Sequence, residues 1–378
     1  MFLTSHGIIT CKTVFRTARY LYKRAYFSNY RRISSFAELM AVDRSLVLLS
    51  TSTDIFTNLA FEDIIYNKST FSAKQGKILF IWRDKPCVVV GRHQNPWTEV
   101  CLDSSFASGT MICRRNSGGG TVYHDMGNIN LSFMSCKKYY NRRNNLMFIS
   151  HCLKNRYDIQ TAISDREDLI LESSGEKVSG TASKLASKNA YHHCTLLVSV
   201  NLNNMRKVIK KTPSLFLKSN ATPSVRSPVK NLNTVSETIT ANDCVESIAQ
   251  AFTEGHEDRI ISVDPTETFC PGLDDKIAMF KSWEWIFGKT PKFTLEKEFN
   301  NDSYPFTVKM QVHHGIVSNF SVSSDDREGD LVLDMKGVRF NRNAIQEKML
   351  LWSLLEDDII WSSSLCKAVD SMMDDVLR

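Results

Sequence analysis

The sequence predicts an α+β fold with a large first domain and a small α+β unit at its carboxyl end. Strand-length apolar segments dominate the first two thirds, segments with helical spacing lie between them, and two alternating segments near the end precede a further helical pattern. With 378 residues and 42% hydrophobic content, the chain can bury a full core and has room for two domains. It is therefore expected to be globular.

The first strand and helix are predicted from LVLLS and the segment that follows it. Helical spacing joins Ile55 to Leu59, and Thr53 or Asp54 lies near the expected helix cap. Farther along, ILFIW and CVVVG flank the segment 83–86, Arg-Asp-Lys-Pro. The sequence therefore predicts a hairpin between these two strands, with a four-residue turn.

Alternation and helical spacing continue through the middle of the chain. Ile129, Leu131 and Phe133 alternate on one face of a predicted strand, and LILE and CTLLVSV are further short strands. A helix is expected around residues 146–153, and the Ser/Pro/Asn-rich stretch 218–233 is expected to be a surface loop.

An amphipathic helix closes the first domain. Val245 and Ile248 belong to its apolar face, and Asp243 and Glu246 have capping-box spacing. We expect this domain to span residues 46–278.

The remainder, residues 279–378, is predicted to form the small α+β domain. Phe306, Val308, Met310 and Val312 alternate strictly, and HHG supplies a turn to the next strand, IVSNFSV. A helical pattern follows over 345–355. The segment should therefore be a hairpin packed with a helix.

The net charge of +6 comes from the amino-terminal segment. Seven Lys and Arg residues precede the first acidic residue, Glu38, which leaves 40 basic and 41 acidic residues in the remainder. A nearly neutral body argues against nucleic-acid binding. The Arg-rich, acid-free start is typical of a mitochondrial transit peptide, so residues 1–45 are interpreted as transit peptide and leader, with an attached basic tail as the alternative.

Two further features narrow the class. No apolar run approaches the roughly 18 residues that cross a bilayer, so we expect no membrane span. The 10 cysteines are scattered and form no Cys-x-x-Cys pair, which favours free thiols in a reducing compartment over disulfides or structural zinc. Cys194, beside His192 and His193, lacks the second cluster of ligands that a zinc site requires.

The segment RRNSGGGTVYHDMGN is the first candidate site. Gly118 to Gly120 lack side chains that would block close approach, so their N–H groups could face an anion, and Arg114 or Arg115 could pair with it. The pattern is neither a Walker A loop nor a dinucleotide fingerprint. A purely structural glycine bend is the alternative.

Two more segments contain candidate groups. In EKVSGTASKLA, Lys177 precedes Gly180 and could hold an ammonium against charge that develops during acyl or phosphoryl transfer. In AYHHCTLLVSV, His192, His193 and Thr195 begin a strand. An exposed lysine and a hydrogen-bonded structural histidine pair are the alternatives.

Taken in order, seven segments resemble the lipoate–protein ligase and lipoyltransferase family, with greatest similarity to its mitochondrial branch. They are GRHQNPW, RRNSGGGTVYHDMGN, DREDLIL, KVSGTAS, HHCTLLVSV, SVRSPVKNL and SWEWIFGKTPKF. The resemblance covers about Leu46 to Phe293. It implies a mixed-sheet core like that of biotin and lipoate protein ligases, with a small carboxyl-terminal domain.

The resemblance also implies a set of site residues. Lys177 corresponds to the family's central functional lysine, near the acyl carbonyl and the phosphate. The residues implied to bind lipoyl-AMP are Arg115, Gly118, Gly119, Gly120, Tyr123, Arg166, Lys177, Thr195, Val225 and Ser227. Weaker candidates are His124, Asp168 and His193, the last as a base. Glu167 departs from the Asn common in metal-dependent ligases, and Cys194 from the glycine of bacterial ones.

The implied activity is transfer of a lipoyl group from lipoyl-AMP, or from a lipoylated carrier, to a specific lysine. Its acceptors would be the lipoyl domains of 2-oxo acid dehydrogenase acyltransferase subunits and the glycine-cleavage H protein. The enzyme is expected to be monomeric in the mitochondrial matrix and to hold no permanent metal. A complete ATP- and magnesium-dependent ligase and a non-catalytic lipoate-binding module are the alternatives.

Overall fold

A six-stranded mixed sheet forms the centre of the protein. The computed structural model describes residues 30–31, 35–39, 41–71, 76–210, 214–300, 305–324, 333–356 and 359–378. In spatial order the central strands are β11 (Thr181–Leu185), β12 (Asn189–Leu197), β8 (Asn128–Cys136), β4 (Lys77–Trp82), β2 (Ser45–Ser50) and β14 (Ile260–Val263). Strands β4, β2 and β14 are parallel, whereas β4, β8, β12 and β11 pair antiparallel in turn.

Smaller sheets surround the central one. A three-stranded sheet has the order β6 (Met111–Arg114), β5 (Cys87–Val90) and β7 (Val122–His124). An antiparallel sheet near the carboxyl end has the order β13 (Leu217–Ser219), β15 (Phe293–Phe299), β16 (Phe306–His313) and β17 (Ile316–Ser323). Two short pairs are β9 (Thr161–Ile163) with β10 (Leu169–Leu171), and β1 (Ala41–Val42) with β3 (Thr70–Phe71).

The helices cover the faces of these sheets. They are α1 (Ile55–Lys68), α2 (Pro96–Glu99), α3 (Leu102–Ala107), α4 (Arg142–Tyr157), α5 (Leu202–Val208), α6 (Ala241–Phe252), α7 (Leu273–Lys281), α8 (Trp283–Ile286), α9 (Arg342–Ser353) and α10 (Ile359–Leu377). Among the described residues, no helix combines the length and apolarity that a membrane crossing needs.

The central sheet separates two hydrophobic cores. On one face Ile129 and Leu131 of β8 pack with Leu146 of α4 and Val245 of α6. The larger core on the other face is continuous with the carboxyl-terminal sheet and α10. The predicted strand over Ile129 to Phe133 and the predicted helices around residues 146–153 and 245–252 are confirmed.

The predicted hairpin between ILFIW and CVVVG is wrong. Both segments are strands, but β4 pairs with β2 and β8, whereas β5 pairs with β6 and β7. Asp84, in the segment between them, is buried and hydrogen-bonded to Asn58 Nδ2 at 2.9 Å, so the chain passes from one sheet to the next there. A strand that is buried on both faces shows no alternation of apolar and polar residues. Its sequence therefore does not indicate which strands it pairs with.

The helix caps follow local hydrogen bonds. Asp54 caps α1 by accepting from Thr57 N at 3.2 Å, in agreement with one of the two expected positions. Helix α6 is capped by Thr240, which accepts from Asp243 N at 3.1 Å, so the expected cap at Asp243 is wrong by three residues. Thr240 and Asp243 have the spacing of a capping box themselves.

The predicted domain boundaries remain predictions, and two features bear on them. Phe36, Leu39 and Val42, which belong to the predicted leader, are buried in the larger core, whereas residues 1–29 lie outside the described residues. Strand β13, from the predicted first domain, pairs with β15 of the second. The nine cysteines within the described residues are free thiols.

Candidate functional site

A cavity of about 210 Å³ opens where the central sheet, the three-stranded sheet and α5 meet. Strands β7 and β12 contribute Tyr123 and Thr195, and the loop that follows β13 closes one side with Ser224 to Val229. Six apolar side chains contribute to its lining: Val122, Leu197, Met205, Ile209, Val225 and Val229. The cavity thus combines an apolar wall with a few polar groups, as ligand sites commonly do.

Lys177 lines this cavity and is held in place by its backbone and its side chain. Its N–H donates to Pro228 O at 2.9 Å, and its carbonyl accepts from Lys230 N at 3.0 Å. Its Nζ lies 2.8 Å from Asp168 Oδ2, and the side chain is 20% exposed. Because the backbone is bonded on both sides and the ammonium is paired, Lys177 presents a fixed positive charge to the cavity.

Gly180 and Thr195 form the wall beside Lys177. Thr195 N donates to Gly180 O, and Gly180 N donates to Thr195 Oγ1, each at 2.9 Å. A Cβ at position 180 would lie 3.2 Å from Thr195 Oγ1 and 3.8 Å from Lys177 Cε. A glycine at this position therefore lets the lysine and threonine side chains share one narrow space.

Arg115 supports the glycine loop from behind. Its guanidinium donates to Gly118 O at 2.6 Å, Gly120 O at 2.8 Å, Val89 O at 3.1 Å and Ser117 Oγ at 2.9 Å. Burial lowers the pKa of Arg115 to about 10, which leaves it charged at neutral pH. Since four of its donor contacts end on protein oxygens, the geometry favours a role in shaping the loop over direct contact with a ligand.

The glycine loop also fits against a second turn of the chain. Gly119 has φ of +86°, a conformation that glycine adopts without strain. A Cβ on Gly91 would lie only 2.1 Å from Gly119 O, so the two glycines permit close backbone contact. Gly120 faces Ser224, whose Oγ accepts from Thr121 N at 2.9 Å. These contacts fix the loop at the edge of the cavity.

A network of buried polar groups lies near this loop. His124 Nδ1 is 2.9 Å from Asp84 Oδ2, and His193 Nδ1 is 3.1 Å from Glu62 Oε1. The two histidine rings flank Trp82, with centroids 5.8 and 5.7 Å away. Burial lowers the pKa of His124 and raises the pKa of Asp84. Neither histidine lines the cavity, so in this conformation neither is placed to take a proton from an incoming amine.

The structure brings together only some of the predicted site residues. Tyr123, Lys177, Thr195, Val225 and Ser227 line the cavity. Arg115, Gly118, Gly119 and Gly120 form its supporting loop, and Asp168 pairs with Lys177. Arg166 is exposed on the β9–β10 turn and does not line the cavity. The roles of all these residues in binding remain predictions.

Several lining residues were not predicted from the sequence. Thr121 and Ser224 are joined by a hydrogen bond across the cavity edge, and Arg206 and Arg226 lie exposed at its mouth. The SVRS segment and the GGGT segment were recognised, but neither pattern indicates that these particular side chains meet. Arg206 belongs to no segment that was singled out.

Asp84, Cys87 and His124 could offer metal ligands, since their ligating atoms lie within 4.8 Å of one another. Asp84 already takes part in hydrogen bonds with Asn58 Nδ2 and His124 Nδ1, both at 2.9 Å. A structural zinc site normally has four ligands. The hydrogen bonds account for the contact between Asp84 and His124 without a metal, and the expected absence of a permanent metal remains a prediction.

Comparisons with known proteins bear on the family and the fold. A model of the lipoyl protein ligase A/B catalytic domain matches residues 54–253. Mitochondrial lipoyl amidotransferase LIPT1 of Mus musculus is 41% identical over 293 residues, covering 74% of this chain and 76% of the mouse protein. The same enzyme of Homo sapiens is 43% identical over 265 residues, covering 68% of this chain and 69% of the human protein.

A solved structure adds independent support for the fold. The crystal structure of P. falciparum LipL1 in complex with lipoate is similar with a TM-score of 0.56 at 22% identity, covering 86% of this chain and 99% of that chain. The predicted α+β, ligase-like fold is therefore confirmed. Together with the matched catalytic-domain model and the two mammalian relatives, this shows that the chain belongs to the lipoyl protein ligase A/B family.

Proposed function

We propose that this mitochondrial enzyme transfers a lipoyl group from lipoyl-AMP, or from a lipoylated carrier protein, to a specific lysine of lipoyl carrier domains. Lipoyl transfer to proteins and a mitochondrial location follow from its family and its mouse and human relatives, and both expectations are confirmed. The donor, the particular acceptors and the residue roles are the parts that we propose.

The observation that carries this proposal is the fixed ammonium of Lys177 beside an apolar wall. Lys177 Nζ is paired with Asp168 at 2.8 Å and lines the same cavity as Val122, Leu197 and Ile209. An apolar wall suits a lipoyl chain, because each buried methylene contributes about 0.8 kcal/mol. The ammonium suits an acyl phosphate, whose reacting oxygens gain negative charge.

The proposed reaction needs positioning more than a nucleophilic side chain. The acceptor lysine nitrogen attacks the acyl carbon, a new C–N bond forms, and the bond from that carbon to the phosphate oxygen breaks. AMP leaves with the bonding electrons, and the amine loses a proton. Lys177 would stabilise negative charge on the carbonyl oxygen and on the departing phosphate, a contribution worth about 10²- to 10³-fold in rate for one such donor.

The size of the cavity limits how the donor can sit. Ligand sites usually enclose about 300–1,000 Å³, and this cavity encloses about 210 Å³. We therefore expect the exposed segment 225–228 to move outward when the whole donor binds. Tyr123, Thr195 and Ser227 would then contact the donor near Lys177.

The acceptors that we propose are the lipoyl domains of 2-oxo acid dehydrogenase acyltransferase subunits and the glycine-cleavage H protein. Each would supply the attacking amine on its own target lysine. No base for that amine is assigned, because His193 is buried with Glu62 and does not line the cavity.

The proposal is tested with purified protein, an unmodified lipoyl carrier domain and one of three donors: lipoyl-AMP, a lipoylated carrier protein, or lipoate with ATP and magnesium. Acceptor mass reports transfer, and pyrophosphate release reports adenylate synthesis. Transfer from lipoyl-AMP without pyrophosphate release is the expected result. Pyrophosphate release would instead identify a complete ligase, and absence of transfer from every donor would leave only a binding protein.

Lys177→Ala tests the residue that carries the argument. We expect transfer from lipoyl-AMP to fall about 10²- to 10³-fold. Lys230→Ala is the matched control, because Lys230 follows Val229, which forms a β-bridge with Lys177, and its side chain pairs with Glu176 at 3.0 Å and does not line the cavity. Equal rates for the two folded variants would contradict the role of Lys177.

A further inference from the structure

The mouth of the cavity carries an uncompensated positive charge. Three cationic side chains line the cavity, Lys177, Arg206 and Arg226, whereas none of the described lining residues is acidic. Asp168 sits behind Lys177 at 2.8 Å and balances its charge. The two arginines are exposed, and neither takes part in an ion pair among the described residues. Arg206 Nη1 donates to a neutral acceptor, Asn203 Oδ1, at 3.2 Å. Arg206 and Arg226, which we call the rim of the cavity, therefore place an excess of two positive charges at the solvent-exposed mouth.

Arg206 is held in a defined place by the short helix α5. Asn201 caps this helix by accepting from Asn204 N at 3.0 Å, and Asn201 N donates to Asp125 Oδ2 at 2.8 Å. Asn204 Nδ2 donates to Tyr123 OH at 2.8 Å, which ties the helix to the cavity wall. The helix, and Arg206 with it, is therefore fixed relative to the reacting centre.

Arg226 extends from a loop that is anchored two residues earlier. Ser224 Oγ accepts from Thr121 N at 2.9 Å and from Gln94 Nε2 at 3.0 Å, and Ser224 N donates to Glu99 Oε1 at 3.1 Å. Arg226 itself is exposed. The loop can thus move at its outer part while remaining attached at Ser224.

The acceptor must touch this rim. If Lys177 stabilises the acyl phosphate inside the cavity, the acceptor's lysine has to enter through the mouth between α5 and the Ser224 to Val229 loop. A lysine side chain reaches only as far as its four-carbon stem allows, so we expect the carrier surface around it to contact Arg206, Val225 and Arg226. Charges that meet across such a contact select partners of opposite sign and accelerate their encounter.

We propose that Arg206 and Arg226 form a docking rim that recognises acidic side chains flanking the target lysine of the carrier domain. This inference rests on the proposed transfer function and specifies the surface chemistry of its acceptor. The rim acts on docking of the carrier, before the acyl group is transferred. Carriers with a neutral or basic surface around the lysine are then poor acceptors.

The test is charge reversal at the rim in the full-length protein. The double variant Arg206→Glu with Arg226→Glu is compared with wild type for transfer from lipoyl-AMP to a purified carrier domain. We expect kcat/KM for the carrier to fall roughly 10- to 100-fold, mainly through KM, at low salt. The deficit should shrink as salt rises, because the Debye length is about 8 Å at physiological ionic strength and shorter above it.

A matched control reverses two charges elsewhere. Arg143 on α4 and Lys188 on the turn before β12 are exposed and do not line the cavity. Arg143→Glu with Lys188→Glu changes the net charge by the same amount, so it should retain at least half of the wild-type kcat/KM. An equal loss in both double variants would overturn a specific rim.

A carrier domain with reversed charge distinguishes a role of the arginines in docking from a role in donor binding. A carrier in which the acidic residues flanking its target lysine are changed to lysine should react slowly with wild type and faster with the rim variant. If the rim variant stays impaired with both carriers, the arginines bind the donor and the docking proposal is overturned. Transfer from lipoyl-AMP to hydroxylamine by wild type tests the proposed function separately, because it needs no carrier surface.

Discussion

Arginines at the base and at the mouth of the candidate site have opposite surroundings. Arg115 is 2% exposed, and four donor contacts from its guanidinium end on protein oxygens, three of them backbone carbonyls. Arg226 is exposed, and it takes part in no ion pair among the described residues. The buried guanidinium therefore shapes a loop, whereas the exposed one remains available to another molecule.

This difference teaches that residue type alone does not assign a role in the site. A buried arginine costs free energy unless each donor finds a partner, so Arg115 must be part of the folded structure. An exposed arginine contributes little to folding and can be replaced without loss of the fold. Substitutions at the base should hence cost stability, and substitutions at the mouth should affect recognition.

The largest expected effect is the difference in stability between variants of Arg115 and of Arg226. Arg115→Met leaves the carbonyls of Gly118 and Gly120 without their donors, so we expect the free energy of unfolding to fall by about 2–6 kcal/mol, at about 1–3 kcal/mol for each unpaired acceptor. Arg226→Met should change it by less than about 0.5 kcal/mol. Urea unfolding of the two variants measures the contrast, which disappears if both lose the same amount.

Substitution of Asp168 is expected to have an effect between those of the Arg115 and Arg226 substitutions, because Asp168 pairs with a partly exposed lysine. Asp168→Asn weakens the contact that holds Lys177 Nζ at 2.8 Å. We expect kcat to fall about 10- to 100-fold while KM for the donor changes less, since a displaced group loses rate steeply. Glu176→Gln, which breaks the neighbouring pair with Lys230, is the control and should leave kcat nearly unchanged. A rise in KM alone would contradict the positioning role of Asp168.

Two glycines extend the comparison to the backbone. A Cβ on Gly91 would overlap Gly119 O at 2.1 Å, whereas a Cβ on Gly118 meets nothing within 4 Å. Gly91→Ala is expected to lower the free energy of unfolding by about 1–3 kcal/mol, and Gly118→Ala by less than about 0.5 kcal/mol. Thermal unfolding followed by circular dichroism decides this; similar melting temperatures would show that the loop can shift freely.

The last prediction concerns the stability of the protein at acidic pH. Burial, and then Arg142, lowers the pKa of His192 to about 3 from 6.5. Below pH 6.5 the unfolded chain therefore binds a proton at His192 that the folded protein does not bind until near pH 3. The free energy of unfolding should fall by about 1.4 kcal/mol for each pH unit over this range. His192→Gln should remove this contribution to the pH dependence of stability. Exposed His256→Gln is the control, and parallel stability curves for wild type and His192→Gln between pH 7 and 5 would refute the assignment.

The sequence predicted the positions of helices and strands more reliably than it predicted which strands pair. Alternation identified the strand over Ile129 to Phe133, and helical spacing identified α4 and α6, because one face of each element is buried. The strands in ILFIW and CVVVG are buried on both faces and carry no such signal, so neighbourhood along the chain suggested a hairpin that does not form. Which sheet a fully apolar strand joins depends on contacts distant in sequence.

The site was predicted only in part for a similar reason. Lys177 and the glycine loop stand out because their motifs are unusual and resemble those of a family. The contact between Lys177 and Asp168 depends on a β-bridge between Ile170 and Lys177, which no spacing reveals. Arg206 has no local pattern, and the SVRS segment that contains Arg226 does not indicate where its side chain lies, because an exposed arginine looks the same on any surface.

Arg114 joins the two predicted domains through hydrogen bonds. Its buried guanidinium donates to the carbonyls of Gln94 and Ile286, both at 2.8 Å, and to Thr290 Oγ1 at 3.0 Å. Trp285 Nε1 returns a hydrogen bond to Arg114 O at 2.8 Å. Three of the six oxygens that accept from Arg114 belong to Trp285, Ile286 and Thr290, so a fragment ending at residue 278 would lack them. We therefore expect the two parts to unfold together in a single cooperative transition.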